Sequence, residues 1–190
     1  MERVYIEGKT FEKINISKDA FPKGEFEDCR FLHCDFANGD FSQMKFLNCE
    51  FSDCNLSLVK INGASFCDVR FKECKMLGLT FENCNPFGLS FRFDHCMLIH
   101  SSFYKLKLKK ISFINCQLHE VDFSECDLSA SSFDECDLTR ATFDNTILEK
   151  ADLRKAFNYS INPERNRIKK ARFSVPAVIG LLDKYDIQIE

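Results

Sequence analysis

Eleven cysteines, four histidines and a run of nine carboxylates are the side chains of this 190-residue chain that could do chemistry. Thiols in that number could bind a soft metal, form disulfides or act in redox exchange. Imidazole beside carboxylate is the usual apparatus of acid–base catalysis. Their spacing argues against each. No Cys-x-x-Cys pair occurs, so the common zinc-ligand spacing is missing. His33, His95, His100 and His119 are scattered, with no Gly-rich phosphate loop, nucleophile motif or carboxylate pair in a cleft to accompany them. The expectation is a protein that is not an enzyme and uses no metal or cofactor.

The elements that must carry these residues are set by a five-residue period. A large apolar residue returns at Phe11, Ile16, Phe21, Phe26, Phe31, Phe36, Phe41, Phe46, Phe51, Leu56, Ile61, Phe66, Phe71, Met76 and Phe81. It returns again from Phe93 through Leu98, Phe103 and Leu108 to Leu153, and 18 of the 21 phenylalanines fall in the two series, Phe91 included. Neither helix nor plain strand has that period. Two residues before each large residue lies a small or apolar one, such as Cys29, Cys34, Met44, Val59, Ala64, Ser101 or Ala141. Positions i and i−2 therefore point inward, and i−1, i+1 and i+2 outward. A short extended segment followed by a turn makes one flat side. Four sides close into a square coil of about 20 residues, a solenoid with a filled axis and a surface to present.

Ten of the eleven cysteines sit at i−2; Cys67 alone is off register. Residues 20 apart stack, so Cys34, Cys54 and Cys74 form one column and Cys96, Cys116 and Cys136 another. A reduced packing role is expected for them, not a disulfide framework. The spacing slips once: Phe81 and Phe93 are 12 apart, with Asn85-Pro86-Phe87-Gly88 between them. This predicts a bulged corner near 82–93 that divides a solenoid over 1–158 into two subdomains.

The net charge is −3, but from Ile111 to Glu149 there are nine acids and one base, Arg140. Opposite charges at the stacking interval predict ion pairs Lys105–Glu125, Lys107–Asp127, Glu120–Arg140, Asp134–Arg154 and Glu135–Lys155. Asp122, Asp137, Asp144 and Glu149 are left over. They form the candidate partner surface, with Glu125 and Asp127 behind them. With no basic stripe and a negative total, direct nucleic-acid binding is not expected. No apolar stretch is long enough for a membrane span, and Met1-Glu2-Arg3-Val4-Tyr5 has no signal-peptide core, so a cytoplasmic protein is expected.

The repeat ends after Leu153, and residues 159–190 form a different segment. Ser174 reads as a helix N-cap, with Pro176 in the first turn and Val178, Ile179, Leu181 and Leu182 following. Tyr185-Asp186-Ile187-Gln188-Ile189 alternates like a short strand. A helix near 175–184 would cap the open end of the solenoid, and its other apolar face would join a second copy as a homodimer.

The repeats Asp127-Leu128, Asp137-Leu138, Val121-Asp122-Phe123 and Ala151-Asp152-Leu153 resemble the A(D/N)LXX unit of the pentapeptide-repeat family over roughly residues 4–157. Asn162-Pro163, Asn166, Ile168, Ala171-Arg172-Phe173-Ser174, Leu181-Leu182 and Ile187-Gln188-Ile189 are similar to the tail of its Qnr-type members. Cys74-Lys75-Met76-Leu77-Gly78 resembles a stretch shared with their relative MfpA. The resemblance implies a right-handed quadrilateral β-helix dimerised through its C-termini. It also implies an acidic surface that imitates duplex DNA, binds DNA gyrase or topoisomerase IV and modulates fluoroquinolone action. The long projecting loops of many Qnr proteins are missing. The alternative is a generic interaction scaffold with another partner, because one fold serves many roles.

Overall fold

In the computed structural model, which describes residues 4–188, parallel pairing joins each coil to the next, at an offset of 20 residues in every step but one. Phe31 lies beside Phe11 and Phe51, and Phe113 beside Phe133. The fold is all-β, a right-handed quadrilateral β-helix. Its longest sheet runs in order through Thr10–Glu12, Arg30–Leu32, Glu50–Ser52, Val69–Lys72, Phe91–Asp94, Ser112–Ile114, Ser132–Asp134, Asp152–Leu153 and Arg172–Phe173. Nine strands make eight coils, a rod of about 38 Å at the usual inter-strand spacing. A second sheet of Val4–Glu7, Gly24–Glu27, Lys45–Leu47 and Ser65–Cys67 covers an adjacent face over the first half of the rod. The remaining faces are held by single bridges such as Asp35↔Asn55 and Ser102↔Asp122.

The five-residue period places the core as expected. From Phe26 to Leu153 no residue of the large series is more than 6 % exposed. Rings stack along a face, as in Phe31–Phe51 at 4.4 Å and Phe93–Phe113 at 5.3 Å. They meet edge-to-face across the axis, as in Phe103–Phe113 at 5.9 Å and 79°. Phe11, Ile16 and Phe21 are only half-buried, because among the described residues nothing packs above the first coil.

Most corners close the same way. The i+2 residue takes the left-handed conformation, as at Asp53 (φ 52°), Glu73 (φ 54°) and Arg140 (φ 55°). Where i−1 is Asp or Asn, its side chain commonly accepts the i+1 backbone N–H: Ser42 donates to Asp40 at 2.9 Å, Ser124 to Asp122 at 2.8 Å and Thr139 to Asp137 at 3.1 Å. An acid at i−1 is therefore a turn-former before it is a surface charge.

The frame slip is a bulge confined to one corner. Phe71 still pairs with Phe93 and Val69 with Phe91, at an offset of 22, so the long sheet passes through uninterrupted. Pro86 and Gly88 supply no core side chain there. Phe91 turns inward instead and packs at 5.7 Å from Phe66 and 5.2 Å from Phe81. The offset of 22 also corrects the cysteine reading: Cys96 follows Cys74, because the neighbouring pair Lys75↔Met97 is in register. One buried column of six thiols results, Cys34, Cys54, Cys74, Cys96, Cys116 and Cys136, all free. The first four donate to the carbonyls of Phe11, Phe31, Phe51 and Phe71 at 3.3–3.6 Å.

The C-terminal segment departs from expectation. Instead of an α-helix over 175–184 there are two short 3-10 stretches, Ala177–Leu181 and Asp183–Tyr185. The cause is tertiary. Ile161 N–H donates to the Gly180 carbonyl at 2.9 Å, and a Cβ on Gly180 would lie 2.0 Å from the Tyr159 carbonyl oxygen. Docking onto the last coil takes a carbonyl that a helix would have used. Asp186–Gln188 carry no strand, and Ile189, part of the expected alternation, lies outside the described residues. No helix among the described residues is long and apolar enough to cross a membrane.

Candidate protein-interaction surface

The acids of Ile111–Glu149 all project from the rod, but they are less free than their spacing implies. Of the expected pairs, Lys105–Glu125 forms at 3.5 Å, Glu120–Arg140 at 3.4 Å and Glu135–Lys155 at 3.6 Å. Two expected pairs are replaced. Asp127 is met by Lys109 at 3.3 Å in place of Lys107, and Asp134 by Lys155 at 2.9 Å in place of Arg154, which turns to Asp152. Three of the four leftover acids have partners too. Asp137 is 2.9 Å from His119, Asp144 2.7 Å from Arg165 and Glu149 2.6 Å from Arg167. Of the nine, seven have a lysine or arginine within 4 Å among the described residues; Asp137 meets only the His119 imidazole, and Asp122 meets none of these. Backbone stacks at 20, but long side chains reach diagonally across 18 or 21 residues. That diagonal is the signal that would have found Arg165 and Arg167.

Asp122 and Asp144 share one face, Asp127 and Glu149 the next, with Glu125 at the corner between them. Asp137 faces the other way, beside Phe157. Burial acts to raise the Asp127 carboxyl, but hydrogen bonds from Ser129 and Lys109 hold it below its ordinary value. At Asp137, Thr139, Asn158 and His119 do the same against burial. Both acids are ionised, and both are tied to the rod.

At the C-terminal end Val178, Ile179 and Leu182 are exposed, while Leu181 packs against the core. Three of the four apolar residues expected at a dimer contact are therefore on the outside of the cap. Asp183 and Lys184 flank them.

A family model described as the pentapeptide repeat region matches residues 24–92 and 87–157. The chain belongs to the pentapeptide-repeat family. Full-length QnrB1, described as a plasmid-mediated fluoroquinolone resistance protein, is similar in structure at 15 % identity and a TM-score of 0.59, over 97 % of this chain and 100 % of that one. A trypsin-treated form of QnrB1 gives 16 % identity and the same TM-score, over 99 % and 98 %. HetL, a pentapeptide-repeat protein involved in heterocyst differentiation regulation from the cyanobacterium Nostoc sp. strain PCC 7120, gives 13 % identity and a TM-score of 0.45, over 90 % and 84 %. No curated protein matches in sequence. The pentapeptide formula now has a physical reading in this chain. Its Asp or Asn, where present, builds the corner, and its central Leu or Phe fills the axis.

Proposed function

We propose that this pentapeptide-repeat rod is a non-catalytic docking protein of the Qnr type. It binds DNA gyrase or topoisomerase IV where duplex DNA would lie, and it modulates fluoroquinolone action. The observation that carries the reading is the end-to-end likeness to QnrB1, in which each chain covers 97 % or more of the other. The rod acts in the cytoplasm as a homodimer through Val178, Ile179 and Leu182, with Leu181 anchoring the cap beneath them. The acidic band then lies next to the two-fold axis. Asp122, Glu125, Asp127, Asp144 and Glu149 face the enzyme from two adjacent sides, and Asp137 from a third. Duplex DNA presents one charge per ~1.7 Å, so a basic DNA-binding surface would accept such a band and release it in salt.

A second reading is favoured by one observation: seven of the nine band acids already have a lysine or arginine within 4 Å. A rod whose charges are largely matched internally suits a scaffold for another protein, recognised by shape. A supercoiling assay with purified gyrase, with and without ciprofloxacin, across a titration of the protein separates the two. Inhibition or drug rescue supports topoisomerase docking. No effect in either condition leaves the scaffold. The charge-specific form of the test is Asp122→Asn with Asp127→Asn and Asp137→Asn, which keeps each turn-forming oxygen and removes three charges. Loss of the effect with an unchanged melting curve is the expected outcome.

A further inference from the structure

At the frame slip the rod carries a basic trough of about 400 Å³, lined by Arg70, Arg92, Lys107, Lys109 and Lys110 with a single carboxylate, Asp68. The repeat scatters these cations over three coils, and the offset of 22 gathers them. Arg70 and Arg92 are register partners on adjacent strands about 4.8 Å apart, so two like charges leave the sheet side by side. Elsewhere such rungs are often opposite in sign, as in Lys45–Glu25 at 2.6 Å and Arg172–Asp152 at 2.7 Å, and Arg70 itself has Glu50 as its register partner on the other side. Here only Lys109 is paired, to Asp127. Arg70, Arg92, Lys107 and Lys110 have no acid within 4 Å among the described residues. Asp68 is engaged by the Ser90 hydroxyl at 3.1 Å. A second hollow, of about 470 Å³, shares Arg70, Arg92 and Lys110 and extends the trough along the sheet, where Lys72 and the acids Glu50 and Asp94 also line it.

The bulge that makes the trough also projects an aromatic ring. Leu89 and Ser90 of the bulge form its rim. Phe87, two residues earlier, is 86 % exposed and unused by the core. Unpaired cations side by side and a bare phenylalanine add nothing to the stability of an isolated rod, so their coincidence at the one break in the repeat marks a ligand site. Arginine forks match phosphate oxygens, and an exposed ring gives a base a stacking platform. The trough is shallow, open and polar. It suits an extended strand, not a compact metabolite.

We propose that this trough binds a single-stranded nucleic acid, with Arg70, Arg92, Lys107 and Lys110 on successive phosphates and Phe87 under a base. The proposal is independent of the topoisomerase reading, because it uses another face and another ligand.

Fluorescence anisotropy with a labelled dT15 oligonucleotide, at 50 to 200 mM salt, tests it. Four phosphate contacts on a single strand predict a slope of log K against log salt of about −3. Arg70→Gln with Arg92→Gln should abolish binding while the thermal melt stays level or rises, since the like-charge rung is removed without putting another in its place. Phe87→Ala should weaken binding about tenfold with the slope unchanged. Arg140→Glu, on another side of the rod, should leave binding intact. Absence of wild-type binding at 50 mM salt overturns the proposal, as does equal binding by the Arg70/Arg92 variant. Displacement of the oligonucleotide by an equal concentration of oligoglutamate would assign the trough to an acidic protein segment and overturn it too. Equal affinity for the dT15·dA15 duplex would remove the single-strand assignment.

Discussion

Phe123 stacks on Phe103 at 5.4 Å and on Phe143 at 5.2 Å, with no exposed surface. Truncation to alanine leaves a ring-sized hole in an axis that neighbouring coils hold open, so Phe123→Ala should cost ~3–5 kcal/mol in chemical denaturation. Ser124→Ala, one residue away and pointing outward, should change stability by less than ~0.5 kcal/mol. Comparable losses at both sites would contradict the inward and outward assignment. The thiols give a second test at this scale. Burial pushes Cys49, Cys84 and Cys126 up to about 12 and also raises Cys67, which is the one cysteine not fully buried. A native chain should take up at most one equivalent of a thiol reagent, at Cys67, and all eleven only after unfolding. Rapid native labelling within the six-thiol column would show the coils opening. Most of this was legible in the sequence, because every inward position is named by a fixed period. The single six-cysteine column was not. It depends on how two inserted residues are absorbed, which is decided by Phe91 turning into the space that Pro86 and Gly88 leave.

The elements differ in how far they depend on neighbours. Most corners are local: a left-handed residue at i+2, an Asx turn where i−1 is Asp or Asn, and the repeat formula suffices to draw them. The C-terminal segment is not local. Ser174, Pro176 and a run of apolar residues do specify helix by capping and pattern, and one α-type bond does form, from Val178 N–H to the Ser174 carbonyl at 3.0 Å. The segment then yields to the end of the rod, where an unpaired strand edge and an open core need covering. Ile161 N–H, which would be unpaired at that edge, claims the Gly180 carbonyl, and the helix gives way to tighter turns. This separates two substitutions that the sequence treats alike. Ile179 is exposed on the cap, so Ile179→Asp should split a dimer in light scattering at micromolar concentration without moving the melting temperature. Leu181 packs against the core, so Leu181→Asp should bury an unpaired charge and lower stability by several kcal/mol whatever the assembly. A monomeric wild type would leave the segment as a cap alone.

For the whole molecule the question is whether the acidic band strains the rod or helps to hold it. Nine acids against one base over Ile111–Glu149 suggest strain. The geometry argues the reverse, since the band acids at i−1 build turns and most others meet a cation from the next coil. Hydrogen bonds from Arg154, with Arg172 nearby, hold the Asp152 carboxyl low. Asp127 and Asp137 are also held low, against their burial, by their turn and ion-pair partners. A carboxyl lowered in the folded state binds its proton less readily than in the unfolded chain. Its stabilisation is therefore complete above the ordinary carboxylate pKa of ~3.9 and is lost as pH falls below that, through the lowered folded values. Circular dichroism melts should give a flat melting temperature from pH 7 to pH 5 and a clear fall by pH 3. Were repulsion dominant, protonation would relieve it and the melting temperature would climb over the same interval. That outcome would mean the band carries an unbalanced field of the kind a DNA imitator needs. The expected fall would mean that the rod spends its acids mainly on its own coils and offers a partner its shape first and its charge second.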